Sequence, residues 1–280
     1  MNYQWYPGHM TKAKRQMQED IKLIDLIIEL VDARTPLSSR NPDIDELGKN
    51  KSRMILLNKS DLADPVANKK WMTYFEEMGI QTVEVNSRSG AGLKNIQAAV
   101  QKACAAKIER DRKRGILNRP VRTMVVGIPN VGKSTFINSY AGKACAKTGN
   151  KPGVTKGKQW IKLNKTLELL DTPGILWPKF EDNEIGMRIA FIGSINDQIL
   201  DSEELAVDFI KYLDNCYPDA ISKCYGFEKV EDPYAVLVEI AKVRKCLLKS
   251  EQYDTKKAAM ILMEDFRSGK LGKITLELPE

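Results

Sequence analysis

Histidine is nearly missing from this chain: His9 is the single imidazole in 280 residues. Five cysteines (Cys104, Cys145, Cys216, Cys224 and Cys246) are scattered, and none forms C-x-x-C. Together these two facts exclude the Cys/His sets that hold zinc, and the thiols read as reduced residues in or near a core. No apolar run approaches the about 20 residues that span a bilayer. The opening stretch, Met1 to Met10, is polar and aromatic and lacks the apolar core of a secretion signal, so a cytoplasmic protein without membrane contact is expected. Repeats and low-complexity tracts are absent. So are acidic residues from Arg112 to Leu167, where 13 basic ones stand.

That gap belongs to a wider asymmetry. The net charge is +7, but residues 1–180 hold 31 Lys/Arg against 17 Asp/Glu, and residues 181–280 hold 13 against 20. A polyanion such as RNA suits this excess, which is larger than a single nucleotide requires. DNA is not expected as a partner, and nothing in the sequence predicts an oligomer.

Apolar periodicity divides the chain near residue 180. Residues 9–24 carry Met10, Ala13, Met17, Ile21 and Ile24 at amphipathic-helix spacing. Leu26–Val31, Arg53–Leu57, Thr82–Val85 and Thr123–Val126 read as buried strands. Helices fall between them: one capped at Asn41-Pro42, one from Pro65 to about Met78 and stopped by Gly79, and one from Leu93 to Lys107. The basic residues 108–120 read as a connector. Residues 159–163 and 166–170 form a hairpin closed by Asn164-Lys165. Beyond Lys179 helical spacing dominates (186–198, 203–214, 233–248, 255–268), and strand signals return only in the last few residues. The expected architecture is α/β, a mostly parallel sheet with helices on both faces over residues 1–180, followed by an all-α domain over 181–280.

Three polar segments sit where strands end, the place at which such sheets bind ligands. Gly127-Ile128-Pro129-Asn130-Val131-Gly132-Lys133-Ser134 fits the phosphate-binding pattern G-x-x-x-x-G-K-S. Its glycines let backbone N–H groups, including those of Val131, Gly132 and Thr135 at the helix start, curl round phosphate oxygens. Lys133 would reach the β- and γ-phosphates, and Ser134 would offer a hydroxyl to Mg²⁺. Asn58-Lys59-Ser60-Asp61 is the second segment. A carboxylate at Asp61 accepts from the ring N–H and exocyclic amine of guanine, a pair adenine does not offer, while Asn58 and Lys59 brace the loop. Asn86-Ser87, ending the next strand, would bring a backbone N–H to the guanine O6. Asp171-Thr172-Pro173-Gly174 is the third. Asp171 suits a water-mediated Mg²⁺ role and Gly174 an N–H for the γ-phosphate, with Thr155 as a second Mg²⁺ hydroxyl. Asn130 would face the α/β-phosphates, where a monovalent cation could sit. The ligand these parts share is GTP or GDP.

In most such proteins the phosphate loop leads and Asn-Lys-x-Asp trails; here the order is reversed. With that order, and with Trp5-Tyr6-Pro7-Gly8-His9-Met10 and Asp32-Ala33-Arg34-Thr35-Pro36, the chain resembles the circularly permuted GTPases that serve ribosome biogenesis, over essentially its whole length. The resemblance implies hydrolysis of GTP in late maturation of the large ribosomal subunit, with the subunit precursor and its rRNA as partners. It also implies K⁺ at Asn130. Ile175 stands where Ras-type enzymes place a water-orienting glutamine. The chemistry of the sequence alone reads His9 as a cap or surface residue, whereas the resemblance implies that it is catalytic in place of that glutamine. The competing reading is a GTP-dependent RNA-binding module whose turnover is incidental. A metabolic phosphotransferase has no acid/base cluster or metal set to support it.

Overall fold

A computed structural model describes residues 17–117, 119–142, 159–163, 166–171, 182–196, 200–249 and 251–279, with only the backbone of Gln159 and Asp171. Six strands form one sheet: β1 (Leu26–Asp32), β2 (Ser52–Asn58), β3 (Gln81–Val85), β4 (Val121–Val126), β5 (Gln159–Lys162) and β6 (Leu167–Asp171). Their order is β3-β2-β1-β4-β6-β5, all parallel except the β5–β6 hairpin. Every residue of β1 is buried, as expected of a central parallel strand covered on both faces. Glu29 lies mid-strand and is tolerated because Arg40 (3.0 Å) and Arg53 pair with it.

The strand order reverses direction between β1 and β4, so the loops after β1, β2 and β4 crowd together at one end of the sheet. Around it lie α1 (Asp43–Leu47), α2 (Pro65–Glu77), α3 (Ile96–Ala103), α4 (Ala105–Lys113) and α5 (Lys133–Ala141). The helix expected over 93–107 breaks at Cys104 and restarts, so the charged connector begins only after Lys113. Arg and Lys are good helix formers, and Lys107 bridges Asp25 (3.3 Å) and Asp111 (3.2 Å). Helical residues 17–21 end earlier than the expected Ile24. Met17, Ile21 and Ile24 are nonetheless buried against Ile27, Met124 and Leu170, as their spacing requires.

The helical part contains α6 (Asn183–Phe191), α7 (Ser202–Cys216), α8 (Ala220–Tyr225), α9 (Pro233–Val243) and α10 (Thr255–Ser268). Aspartates 182, 201, 232 and 254 cap four of these helices, each accepting from N–H groups of the first turn. α6 and α9 stop short of the expected 198 and 248. After α9 the chain turns through an isolated bridge between Leu247 and Tyr253. One buried apolar cluster runs from Leu26 of the sheet to Leu276, so the helices pack on the sheet and are not merely tethered to it.

The alternating apolar residues at the end of the chain form no strand. They lie as an extended tail on the N-terminal half: Ile274 N–H donates to Leu62 O (3.1 Å), Leu276 N–H to Arg34 O (2.7 Å), and Trp71 Nε1 to Glu277 O (2.9 Å). The Glu277 carboxylate accepts from the N–H groups of Leu37 (2.5 Å) and Ser38 (2.8 Å). Burial pushes the Glu277 carboxyl up, against the downward pull of Ser38, Arg188 and Leu37. No helix among the described residues is long and apolar enough to cross a membrane.

Candidate nucleotide site

β4 delivers the segment 127–134, and α5 starts at its last residues. Asn130 (φ 63°) and Gly132 (φ 97°) take left-handed backbone angles, and turns that mix such angles with ordinary ones can form anion-binding nests of backbone N–H groups. A Cβ on Gly132 would sit 2.5 Å from Asn58 Nδ2, so position 132 needs glycine both for its φ and for space. Lys133 is buried, Ser134 is half-buried and Thr135 is exposed.

Asn58 joins three loops. It ends β2 and is 2% exposed. Its Nδ2 donates to Val131 O of the phosphate loop (2.6 Å), and its Oδ1 accepts from Ser87 N–H (3.0 Å) and Ser87 Oγ (2.7 Å). Ser139 Oγ on α5 donates to Ser87 O (2.5 Å). The sequence segments 58–61, 86–87 and 127–134 are therefore one contiguous structure.

Lys59 also takes a left-handed φ of 57°. Its Nζ donates to Asn130 O (2.8 Å) and pairs with Asp32 (2.9 Å), so it ties the 58–61 loop to the phosphate loop. Ser60 puts its hydroxyl on Val85 O (3.1 Å). Asp61 follows with an exposed carboxylate. The N–H groups of residues 86–88 are all donated within the protein, to Ala91 O, Asn58 Oδ1 and Asn86 Oδ1. In this structure the loop expected to offer an N–H to guanine instead supports Asn58. Asn130 spends its side-chain Nδ2 on Gly193 O (2.6 Å), outside the phosphate loop.

Asp32 and Arg34 had no role assigned by sequence reasoning. The signal for Asp32 was its place at the end of β1, which the parallel register sets opposite Asn58. Its carboxylate holds a fork of Arg34 Nε (2.9 Å) and Nη2 (2.8 Å), and both side chains are fully buried. Burial would raise the Asp32 carboxyl, but the charges of Arg34 and Lys59 override it and hold the group well below the carboxylate range. Its folded pKa thus lies below the unfolded one. The pair's stabilisation is present above about pH 4 and is lost as pH falls through the folded value. Burial shifts the Lys59 ammonium downward, opposed by Asp32.

Asp171 closes β6 one residue past the Met124–Leu170 pair, on the strand adjacent to the one that feeds the phosphate loop. His9, Thr155 and Gly174 lie outside the described residues. Among the described residues no group of three His, Cys, Asp or Glu side chains could hold a metal.

A sequence-family model described as "50S ribosome-binding GTPase" matches residues 122–222. It starts at β4 and leaves the Asn58–Asp61 segment outside, as a linear pattern must when that segment precedes the phosphate loop. A ribosome biogenesis GTPase A of Bacillus cereus is 47% identical over 100% of this chain and 95% of its own length. The chain belongs to the ribosome biogenesis GTPase A family. A Thermotoga maritima protein of the same name is 29% identical over 99% of the chain and 94% of its own length. The crystal structure of GNP-bound YlqF from T. maritima matches with a TM-score of 0.68 and 27% identity, covering 96% of this chain and 99% of that one. A GDP-bound YlqF structure matches with the same TM-score. The architecture is therefore the circularly permuted GTPase domain of the ribosome biogenesis GTPase A family, with a helical C-terminal part.

Proposed function

We propose that this chain binds and hydrolyses GTP as an assembly factor in late maturation of the large ribosomal subunit, with turnover slow alone and stimulated by the ribosomal particle. The observation that carries this reading is Asn58, which holds the phosphate loop, the Asp61 loop and the Ser87 loop as one unit. Asp61 reads the guanine edge, with Asn58, Lys59, Ser60, Asn86 and Ser87 shaping its surroundings. Lys133 and the N–H groups of 130–135 take the phosphates, and Gly174 the γ-phosphate. Mg²⁺ keeps several waters and takes phosphate oxygens, so it needs few protein side chains. Ser134 and Thr155 would hold Mg²⁺ directly and Asp171 through water; when bound it neutralises charge on the phosphates. Asn130 would serve K⁺ in the same way.

Residues 1–180 form the nucleotide domain in this reading, and residues 181–280 the part that meets RNA. Exposed Arg110, Arg112, Lys113, Arg114 and Arg119 on and after α4, and Lys245, Lys249, Lys256 and Lys257 around α10, supply the positive charge. The cytoplasm is where such particles are assembled.

Hydrolysis is tested by measuring GTP turnover with and without large-subunit precursors, in potassium and in sodium. The expected result is a rise of about tenfold or more on adding the particle in potassium, with less in sodium. Ile175, in the place of a water-orienting glutamine, favours the second reading, a GTP-dependent RNA-binding module. His9→Ala separates the two. Stimulated turnover collapses if His9 places the water, and it stays unchanged if turnover is incidental.

A further inference from the structure

The nucleotide loops are tied not only to each other but to the helical part, through a closed circuit of polar contacts. Lys59 Nζ touches both Asn130 O and Asp32, and Asp32 holds the Arg34 fork. The remaining nitrogen, Arg34 Nη1, reaches the carbonyls of Phe266 and Arg267, each at 3.4 Å, in the last turn of α10. Arg267 turns back toward α6: its Nε donates to Phe191 O and its Nη2 to Ala190 O, both at 2.9 Å. α6 ends in a bend where Gly193 N–H donates to Ala190 O (3.0 Å) and Ser194 N–H to Ile189 O (3.0 Å). Beyond that bend Gly193 O accepts from Asn130 Nδ2 (2.6 Å), and Ser194 Oγ donates to Pro129 O (2.7 Å). The circuit closes on the phosphate loop.

Three physical features mark the circuit as a built device. The end of a helix carries carbonyls without intrahelical partners and the negative end of its dipole, and here each of two helix ends receives a guanidinium. Arg34 is 1% exposed, a placement sustained only because its nitrogens have partners. Gly193 has φ +77°, and a Cβ there would lie 3.1 Å from the guanidinium carbon of Arg267. A side chain at 193 would strain the bend and displace the arginine together.

We propose that Arg34 and Arg267 are positioning residues for the nucleotide loops, through which the helical part sets how long guanine nucleotide is retained. The proposal rests on the GTP-binding reading above. The contacts fall on Pro129 and Asn130 of the phosphate loop and on Lys59 of the base loop, the two loops that a guanine nucleotide would bridge. Docking of the helical part and nucleotide occupancy therefore favour each other, and the coupling is reciprocal.

The test uses the full chain and stopped-flow release of the fluorescent nucleotide N-methylanthraniloyl-GDP, with melting curves run alongside. Arg267→Ala is expected to speed release about tenfold or more while association changes less than about twofold, and Ser194→Ala to speed it about threefold. Arg244→Ala removes an ion pair with Asp265 (2.6 Å) in the same helical part without touching the circuit. It is expected to keep the parent release rate even though it melts lower. Millimolar ethylguanidinium restores slow release to Arg267→Ala and not to Ser194→Ala. Parent-like release from folded Arg267→Ala overturns the proposal, as does equal acceleration by Arg244→Ala, which would mean general loosening. Should Arg267→Ala fail to fold, Ser194→Ala decides alone, and parent-like release from it overturns the proposal. A parent chain that does not bind the nucleotide overturns the GTP reading itself, an outcome distinct from altered retention.

Discussion

The Asn58→Ala protein binds GDP at least about a hundredfold more weakly than the parent and melts about 10 °C lower. Alanine removes one donor and two acceptor contacts at a fully buried position, leaving Val131 O, Ser87 N–H and Ser87 Oγ without their partner. Each such group costs roughly 1–3 kcal/mol, so about 4 kcal/mol in total is expected. At roughly 2–4 °C per kcal/mol for a domain of this size, the melting shift follows. The loss of affinity has a separate origin. Without Asn58 the carbonyl of Val131 no longer fixes the phosphate loop against the base loop, and a ligand that spans both must hold them in register itself. Calorimetry of folding and titration with GDP read the two effects independently. Parent affinity in a folded Asn58→Ala chain would show that the three loops do not act as one site.

Asp61→Asn trades guanine for xanthine nucleotides. The carboxylate is exposed, so the substitution leaves stability within about 0.5 kcal/mol of the parent. Its effect is confined to what the side chain presents. A carboxylate offers two acceptors to the N–H edge of guanine, and an amide offers one acceptor and one donor. That donor faces the exocyclic amine of guanine but matches the second carbonyl of xanthine. A site built to hydrogen-bond a ligand rejects a mismatched edge strongly, and a fall in GDP affinity on the order of 10³-fold is expected, with XDP gaining. Competition titrations with GDP, XDP and ADP measure it. Unchanged GDP preference in Asp61→Asn would remove Asp61 from the base site.

How much of this was visible beforehand varies with the range of the interaction. β2 announces itself as an apolar run and β1 as one interrupted only by Glu29 before its closing Asp32, and Gly79 and the Pro65 helix start follow local rules. The phosphate loop is legible for the same reason: strand, glycines, lysine and helix all lie between Val121 and Ala141. The opposition of Asp32 and Asn58 is a register fact, set by two strands pairing across a helix, and no local pattern reveals it. An arginine is rarely fully buried, so no local signal places Arg34 inside; only the forked carboxylate and the end of α10, more than 230 residues away, make its burial tenable. Residues 108–113 carry a connector's charge, but Arg and Lys are good helix formers and the helix runs through them. The alternation in the last residues is plain in the sequence, but the groove that receives it is assembled from Leu62, Arg34 and Trp71 and exists only in the folded chain.

The most direct test of the central claim is a crystal structure of the full chain with a non-hydrolysable GTP analogue and Mg²⁺. The account predicts one molecule whose purine edge meets the Asp61 carboxylate and whose phosphates lie on Lys133 and the N–H groups of residues 130–135. A purine seated away from Asp61 while its phosphates occupy that loop would contradict it.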